Sequence, residues 1–202
     1  MNHGAILLAA GASERMGFPK ALLKIGDETF LQHILDQLIE LDEVAAVAVV
    51  LGANATAIKE AVDFRSAVPV HHRGYKLGMF SSVRAGARAV WRRLPDLKGA
   101  LVCLVDMPAV SPDTYRTLIH SFQADKDDVV IAAYQGEGGH PVLLSRTLVE
   151  RLADVAKAEP AEDTLAEFLD AHAERRRFVD ANDPAVLQNV NTPEAYRSLF
   201  GS

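Results

Sequence analysis

Cysteine is nearly missing from this chain of 202 residues: Cys103 stands alone. No disulfide framework can form within the chain, and such sparing use suits a reducing compartment. Inside the apolar run Ala100–Val105, Cys103 reads as a small buried hydrophobe. Long basic tracts are also missing, and the formal net charge is −6. Nucleic acid is therefore not an expected partner, because phosphate-backbone binding needs a basic face. An anionic substrate must instead be held by a few focused cations. No apolar run exceeds about eight residues, far below the ~20 that a membrane helix requires. The opening run Ala5–Ala10 lacks a charged flank and passes straight into Gly11, unlike a secretory leader. The expectation is a cytoplasmic protein with no membrane partner.

What is present is ordinary globular material, 49% hydrophobic and 24% charged. The length suits one α/β domain spanning residues 1–202. Short apolar runs at Ala5–Ala9, Val44–Leu51, Ala67–His71, Ala100–Val105, Val129–Tyr134 and Pro141–Leu144 read as buried strands. Arg177–Asp180 reads as a last short strand. Between them lie helical patterns. Thr29-x-x-Gln32 resembles a capping box ahead of Leu31, Ile34, Leu35, Leu38 and Leu41. Further helices are expected over Ala55–Val62, Ser81–Arg93, from Ser111-Pro112, and over Ser145–Val155, Thr164–Ala171 and Pro193–Leu199, with a polar linker at Ala158–Glu162 and a glycine-rich break before Pro141. Strands apolar throughout, separated by helices, imply a mostly parallel, doubly wound sheet flanked by helices. Ligands then sit beyond the carboxyl ends of the strands. That rule places the loop after Ala9 and the loop after Val105 at the site.

The first loop runs Leu8-Ala9-Ala10-Gly11-Ala12-Ser13-Glu14-Arg15-Met16-Gly17-Phe18-Pro19-Lys20. Its small residues let the backbone approach a ligand and aim N–H groups at anionic oxygens. Arg15 and Lys20 add two cations, as burial of a triphosphate demands. The loop lacks both the Lys-Ser/Thr ending of a P-loop and G-x-G-x-x-G. The second loop follows a buried strand that ends in Asp106, a carboxylate suited to Mg²⁺, which is typically held by one or two carboxylates plus phosphates. Capping the turn before Pro108 is the alternative role for Asp106.

The segment LAAG-x-S-x-R-M-G-x-P-K resembles the opening motif of GT-A-like nucleotidyltransferases, and most closely the molybdenum cofactor cytidylyltransferase branch of the MocA/MobA-like family. The resemblance implies nucleotide contacts from Leu8, Ala9, Ala10, Gly11 and Ser13, phosphate binding by Arg15 and Lys20, and metal binding by Asp106 in its Asp-Met-Pro segment. Asn189-Val190-Asn191-Thr192-Pro193-Glu194 resembles the family's N/D-x-N/D-T-P-E motif, which makes Asn191 a second metal ligand or the cap of the last helix. Gly78-Met79-Phe80-Ser81-Ser82 resembles the GMSSS segment with Phe80 in place of a small residue, so Gly78 and Ser82 are expected at the nucleotide. Gly139-His140-Pro141-Val142-Leu143 resembles the GHPVL element, implying His140 as a donor to an acceptor phosphate. The neighbouring His71 and His72 point to opposite faces of a strand and make no metal site. Arg175-Arg176-Arg177 reads as a solvated basic patch, with an acceptor phosphate as the alternative occupant.

The implied reaction is attack by an acceptor phosphate on the α-phosphorus of a triphosphate, with pyrophosphate leaving and Mg²⁺ as cofactor. The implied acceptor is molybdopterin bearing molybdenum, and an apo-molybdoenzyme or its chaperone is the further partner. LAAG rather than LAGG favours CTP, whereas the asparagine pair near the C-terminus leans toward GTP. Transfer to a sugar or alcohol phosphate, and a non-catalytic cofactor carrier, are the competing readings.

Overall fold

The computed structural model describes residues 2–154 and 164–201. Its strands are β1 (His3–Ala9), β2 (Lys24–Ile25), β3 (Glu28–Thr29), β4 (Val44–Leu51), β5 (Val68–His71), β6 (Gly99–Leu104), β7 (Val129–Tyr134), β8 (Glu137–Ser145) and β9 (Arg176–Asp180). Its helices are α1 (Phe30–Ile39), α2 (Ala55–Ala61), α3 (Met79–Arg93), α4 (Pro112–Ser121), α5 (Arg146–Ala153), α6 (Leu165–Asp170) and α7 (Pro193–Phe200). Seven strands form one sheet in the order β5-β4-β1-β6-β8-β7-β9, and β2 and β3 form a separate ribbon.

Alternation along the strands divides the core into two layers. Ala5, Leu7 and Ala9 of β1 pack with Phe30, Leu31, Ile34, Leu35 and Leu38 of α1 on one face. On the other, Ile6 and Leu8 meet Val83, Ala87 and Val90 of α3 and Phe168 of α6. The expected helices on both faces are thus present, and β1 is parallel to both its neighbours, β4 and β6. Cys103 is buried as a small core residue, and burial pushes its thiol far above the ordinary range. Serine and threonine start several helices: Ser111, Ser145, Thr164 and Thr192 each accept a backbone N–H in the first turn.

Three sequence expectations are corrected. The glycine-rich stretch before Pro141 is no break. It is the first half of β8, which pairs antiparallel with both β6 and β7. Gln135 and Gly136 turn the β7–β8 hairpin with φ of 51° and 85°, the left-handed pair that a two-residue hairpin requires. A side chain at Gly139 would collide with the Val186 carbonyl, so this glycine allows close packing. The capping box at Thr29 is only half made. Thr29 accepts from the Gln32 N–H at 3.1 Å, but the Gln32 side chain bonds Asp36 and Asp63 instead. Finally, the three arginines are not a free basic patch. Arg177 grips Asp127 through two hydrogen bonds of 3.1 and 2.6 Å, Arg175 pairs with Asp128, and Arg176 pairs with Asp170. The linker at Ala158–Glu162 and Val155 lie outside the described residues. Among the described residues, no helix is long and apolar enough to cross a membrane.

Candidate active site

Strands β1 and β6 lie side by side with Leu8 opposite Leu104, so their outgoing loops leave the sheet at the same end. The Val105 N–H donates to the Leu8 carbonyl at 3.1 Å, which ties the turn carrying Asp106 to the root of the first loop. The loops then meet through one side chain. Lys20 Nζ donates to Asp106 Oδ2 at 2.6 Å and to Asn191 Oδ1 at 2.9 Å. Lys20 and Asp106 side chains are only 17% and 16% exposed, so solvent screens this charge-assisted contact weakly.

Asn191 reaches the pair through its backbone. The N–H of buried Val190 donates to the Asp106 carbonyl at 2.7 Å, fixing the residue that precedes Asn191. The cap of α7, offered as an alternative role for Asn191, is supplied by Thr192, whose Oγ1 accepts from the Ala195 N–H at 3.3 Å. Asn191 is thereby left to Lys20. Asn189 is exposed and makes no side-chain hydrogen bond among the described residues.

The first loop is shaped by two left-handed residues, Ser13 (φ 58°) and Gly17 (φ 70°). Ser13 Oγ accepts the Lys20 N–H at 3.0 Å and so closes the loop across its base. Among the described residues, the backbone N–H groups of Gly11, Ala12, Ser13, Glu14 and Arg15 donate to no protein acceptor. A side chain placed on Gly11 would meet nothing within 4 Å. Neither packing nor a positive φ demands glycine there, and the space it leaves belongs to a cleft. Gly52 has the opposite reason for being small, since a side chain there would strike the Ala10 carbonyl.

Leu8, Ala9, Ala10, Gly11 and Ser13 line this cleft together with Lys20 and Asp106. Gly78 and the buried Ser82, at the start of α3, line it too. Arg15 does not. It is exposed on a short 3₁₀ turn and lines an adjoining hollow, with Asn191, that shares Ser13 and Lys20 with the cleft. Phe80 fills no part of the cleft wall and packs on Phe168, with ring centroids 5.4 Å apart. His140 lies on β8 two residues beyond the Val102–Val142 pair, toward the site end of antiparallel β6. Its Nδ1 is 3.5 Å from the Val102 carbonyl, and burial holds the imidazole below its ordinary value despite that carbonyl and Asp106. With its Nδ1–H aimed at that carbonyl, the neutral ring presents Nε2 as an acceptor, and only the protonated ring donates from it.

Sequence reasoning missed Asn54, Ile58, Tyr75 and Met79, which also line the cleft. Asn54 carried a signal. It occupies the cap position of α2 without a side-chain cap bond, so its amide is spare. The apolar members carried none. Among the described residues no group of three or more His, Cys, Asp or Glu is arranged to hold a metal. A cation at Asp106 must therefore draw most of its oxygen ligands from a substrate.

A probable molybdenum cofactor guanylyltransferase of Mycobacterium ulcerans is 31% identical over 93% of this chain and 88% of its own. The nicotine blue oxidoreductase of Paenarthrobacter nicotinovorans is 29% identical over 96% and 95%. The crystal structure of Rv0371c from Mycobacterium tuberculosis superimposes with a TM-score of 0.76 at 27% identity, covering 99% of this chain and 98% of that one. The same protein, solved in complex with manganese, has a TM-score of 0.76 at 24% identity over 100% and 98%. The model of the MobA-like NTP transferase domain matches residues 5–175, from within β1 to the residue before β9, and the chain belongs to that nucleotidyltransferase family.

Proposed function

We propose that the chain transfers CMP from CTP to the phosphate of molybdenum-bearing molybdopterin, giving the cytosine dinucleotide form and pyrophosphate. The carrying observation is the convergence of Lys20, Asp106 and Asn191 beside a loop whose N–H groups from Gly11 to Arg15 lack partners among the described residues. Five such donors and two cations within ten residues are a device for a polyanion. An acceptor phosphate is already a nucleophile, so the protein's task is to position it and to stabilise charge.

Lys20 also tests the fit of a metal. Its ammonium sits between a carboxylate and an amide oxygen, and that pair of hard oxygens suits a divalent cation such as Mg²⁺. A bound divalent ion would supply charge neutralisation and polarise the phosphate oxygens. Lys20 is then the group that turns to the phosphates, with the loop N–H groups and Arg15 sharing the charge. Gly78 and Ser82 contact the nucleotide, and His140, protonated beside an acceptor phosphate, donates to it from Nε2. The dinucleotide product is passed to an apo-molybdoenzyme or its chaperone, and the chain acts as one catalytic domain.

The choice of CTP rests on Ala10. Its methyl group lines the cleft where LAGG sequences have glycine, leaving less room for a purine. The guanylyltransferase names of the mycobacterial relatives and Asn191 favour GTP. The deciding assay supplies Mg²⁺ and molybdenum cofactor with CTP or GTP and separates the dinucleotide products. Cytosine dinucleotide is expected. Product from GTP alone would overturn the nucleotide assignment, and cofactor binding without turnover would mark the chain as a carrier.

A further inference from the structure

We propose that the groove between β5 and α3 is a second anion site, separate from the nucleotide cleft, that takes a phosphate-bearing small molecule. Ala85, Arg88, Ala89, Arg92 and Arg93 recur at i, i+3, i+4, i+7 and i+8 and share one face of α3. The opposite face, with Val83, Ala87 and Val90, is buried against the sheet. The two alanines keep the groove face low against Val68 and Val70 of β5, and the longer arginines frame it. The result is a cavity of about 550 Å³, within the ~300–1,000 Å³ typical of small-molecule sites.

Its charge is what singles it out. Arg88, Arg92 and Arg93 line the groove beside His71 and His72, with no carboxylate among the lining residues, and burial and Arg88 hold His72 below its ordinary value. The chain as a whole carries −6. Several arginines elsewhere pair with acids, as Arg65, Arg116, Arg177 and Arg197 do. Among the described residues, Arg92, Arg93 and His71 have no side-chain hydrogen bond or ion pair. Two members are held in place. Arg88 Nε donates to the Ala153 carbonyl at 3.3 Å, which leaves its terminal nitrogens for a ligand. His72 Nε2 lies 2.9 Å from Ser81 Oγ, whose hydroxyl donates to the Gly78 carbonyl at 2.7 Å. Guanidinium forks set one helical turn apart match the geometry of a phosphate or pyrophosphate group, and the apolar floor suits the body that carries it.

The test is titration of inorganic pyrophosphate, and of inorganic phosphate in a second arm, into the metal-free protein while backbone amide shifts are followed. Saturable shifts are expected at residues 68–72 and 85–93 in the wild type and in Lys20→Ala, whose primary cleft is impaired. Pyrophosphate binding tighter than phosphate binding would assign two-phosphate recognition, and equal affinities would assign a single phosphate group. Arg88→Gln/Arg92→Gln should weaken this binding at least about tenfold, the scale of one lost charge-assisted hydrogen bond. Arg92→Gln/Arg93→Gln, which breaks no bond of the folded protein, should do likewise. Shifts confined to the Gly11–Lys20 loop, or affinity unchanged in the second double variant, would overturn the site.

Discussion

Lys20 joins the two loops and makes both hydrogen bonds that orient Asp106 and Asn191. In the proposed reaction its replacement by alanine removes a phosphate-binding cation, and Asp106→Ala removes the carboxylate proposed to hold a divalent ion. Each should lower turnover by ~10²–10³, the usual cost of losing one preorganised electrostatic group. Steady-state rates read this directly, with circular dichroism confirming that both variants stay folded. Wild-type activity in either would refute its role. At this scale the sequence was informative where chemistry is local. Arg15, Lys20 and the small residues between Ala9 and Ala12 are visible as a charged, pliant loop. Contacts between distant residues are not visible: nothing in the chain pairs residue 20 with residue 191. Nor did the sequence reveal that Arg177 is taken up by Asp127, because a run of three arginines looks alike whether its partners are carboxylates or water.

At the scale of elements, α3 carries the near wall of the cleft and must lie close to the sheet to do so. Gly86 permits this approach: a side chain there would run into Ile6 and crowd Val50. Gly86→Ala should therefore destabilise the protein by about 1–3 kcal/mol, the range for overpacking a core. Thermal melting checks this, and an unchanged midpoint would show that the helix can retreat without cost. β1, β4 and β6 were legible because each is apolar on both faces, as burial between two helical layers requires. β8 was legible only as an apolar run. Its Val142, Leu143 and Leu144 are buried like a parallel strand, and strand direction leaves no mark on such a pattern. Its beginning was hidden by glycines that serve close packing, and a Gln-Gly turn is a weaker hairpin sign than Asn-Gly. The β2–β3 ribbon, two residues on each side, is too short for any period to register.

Over the whole molecule, the end of the sheet opposite the site holds a pH-sensitive element. His3 is 1% exposed, packs edge-on to Phe122, and leaves both ring nitrogens without partners. Burial, aided by the N-terminus and Lys98 against Glu43, lowers its value to about 4. The unfolded chain thus takes up a proton near 6.5 that the folded state refuses until about 4. The stabilising contribution of neutral His3 is complete above 6.5 and is lost as pH falls toward 4, by about 3 kcal/mol in all. Urea midpoints at pH 7 and pH 5 should differ in the wild type, and the difference should shrink in His3→Leu. An identical slope in that variant would contradict the assignment.

The same scale carries the central claim, that this sheet end moves a nucleotidyl group from a triphosphate to an acceptor phosphate. Its most direct measurement follows α-³²P-labelled CTP incubated with the protein, Mg²⁺ and molybdenum cofactor. Label should enter a cofactor-linked dinucleotide, with one pyrophosphate released for each product and no release when the acceptor is left out. Label recovered entirely as unreacted CTP, or pyrophosphate release indifferent to the acceptor, would contradict it.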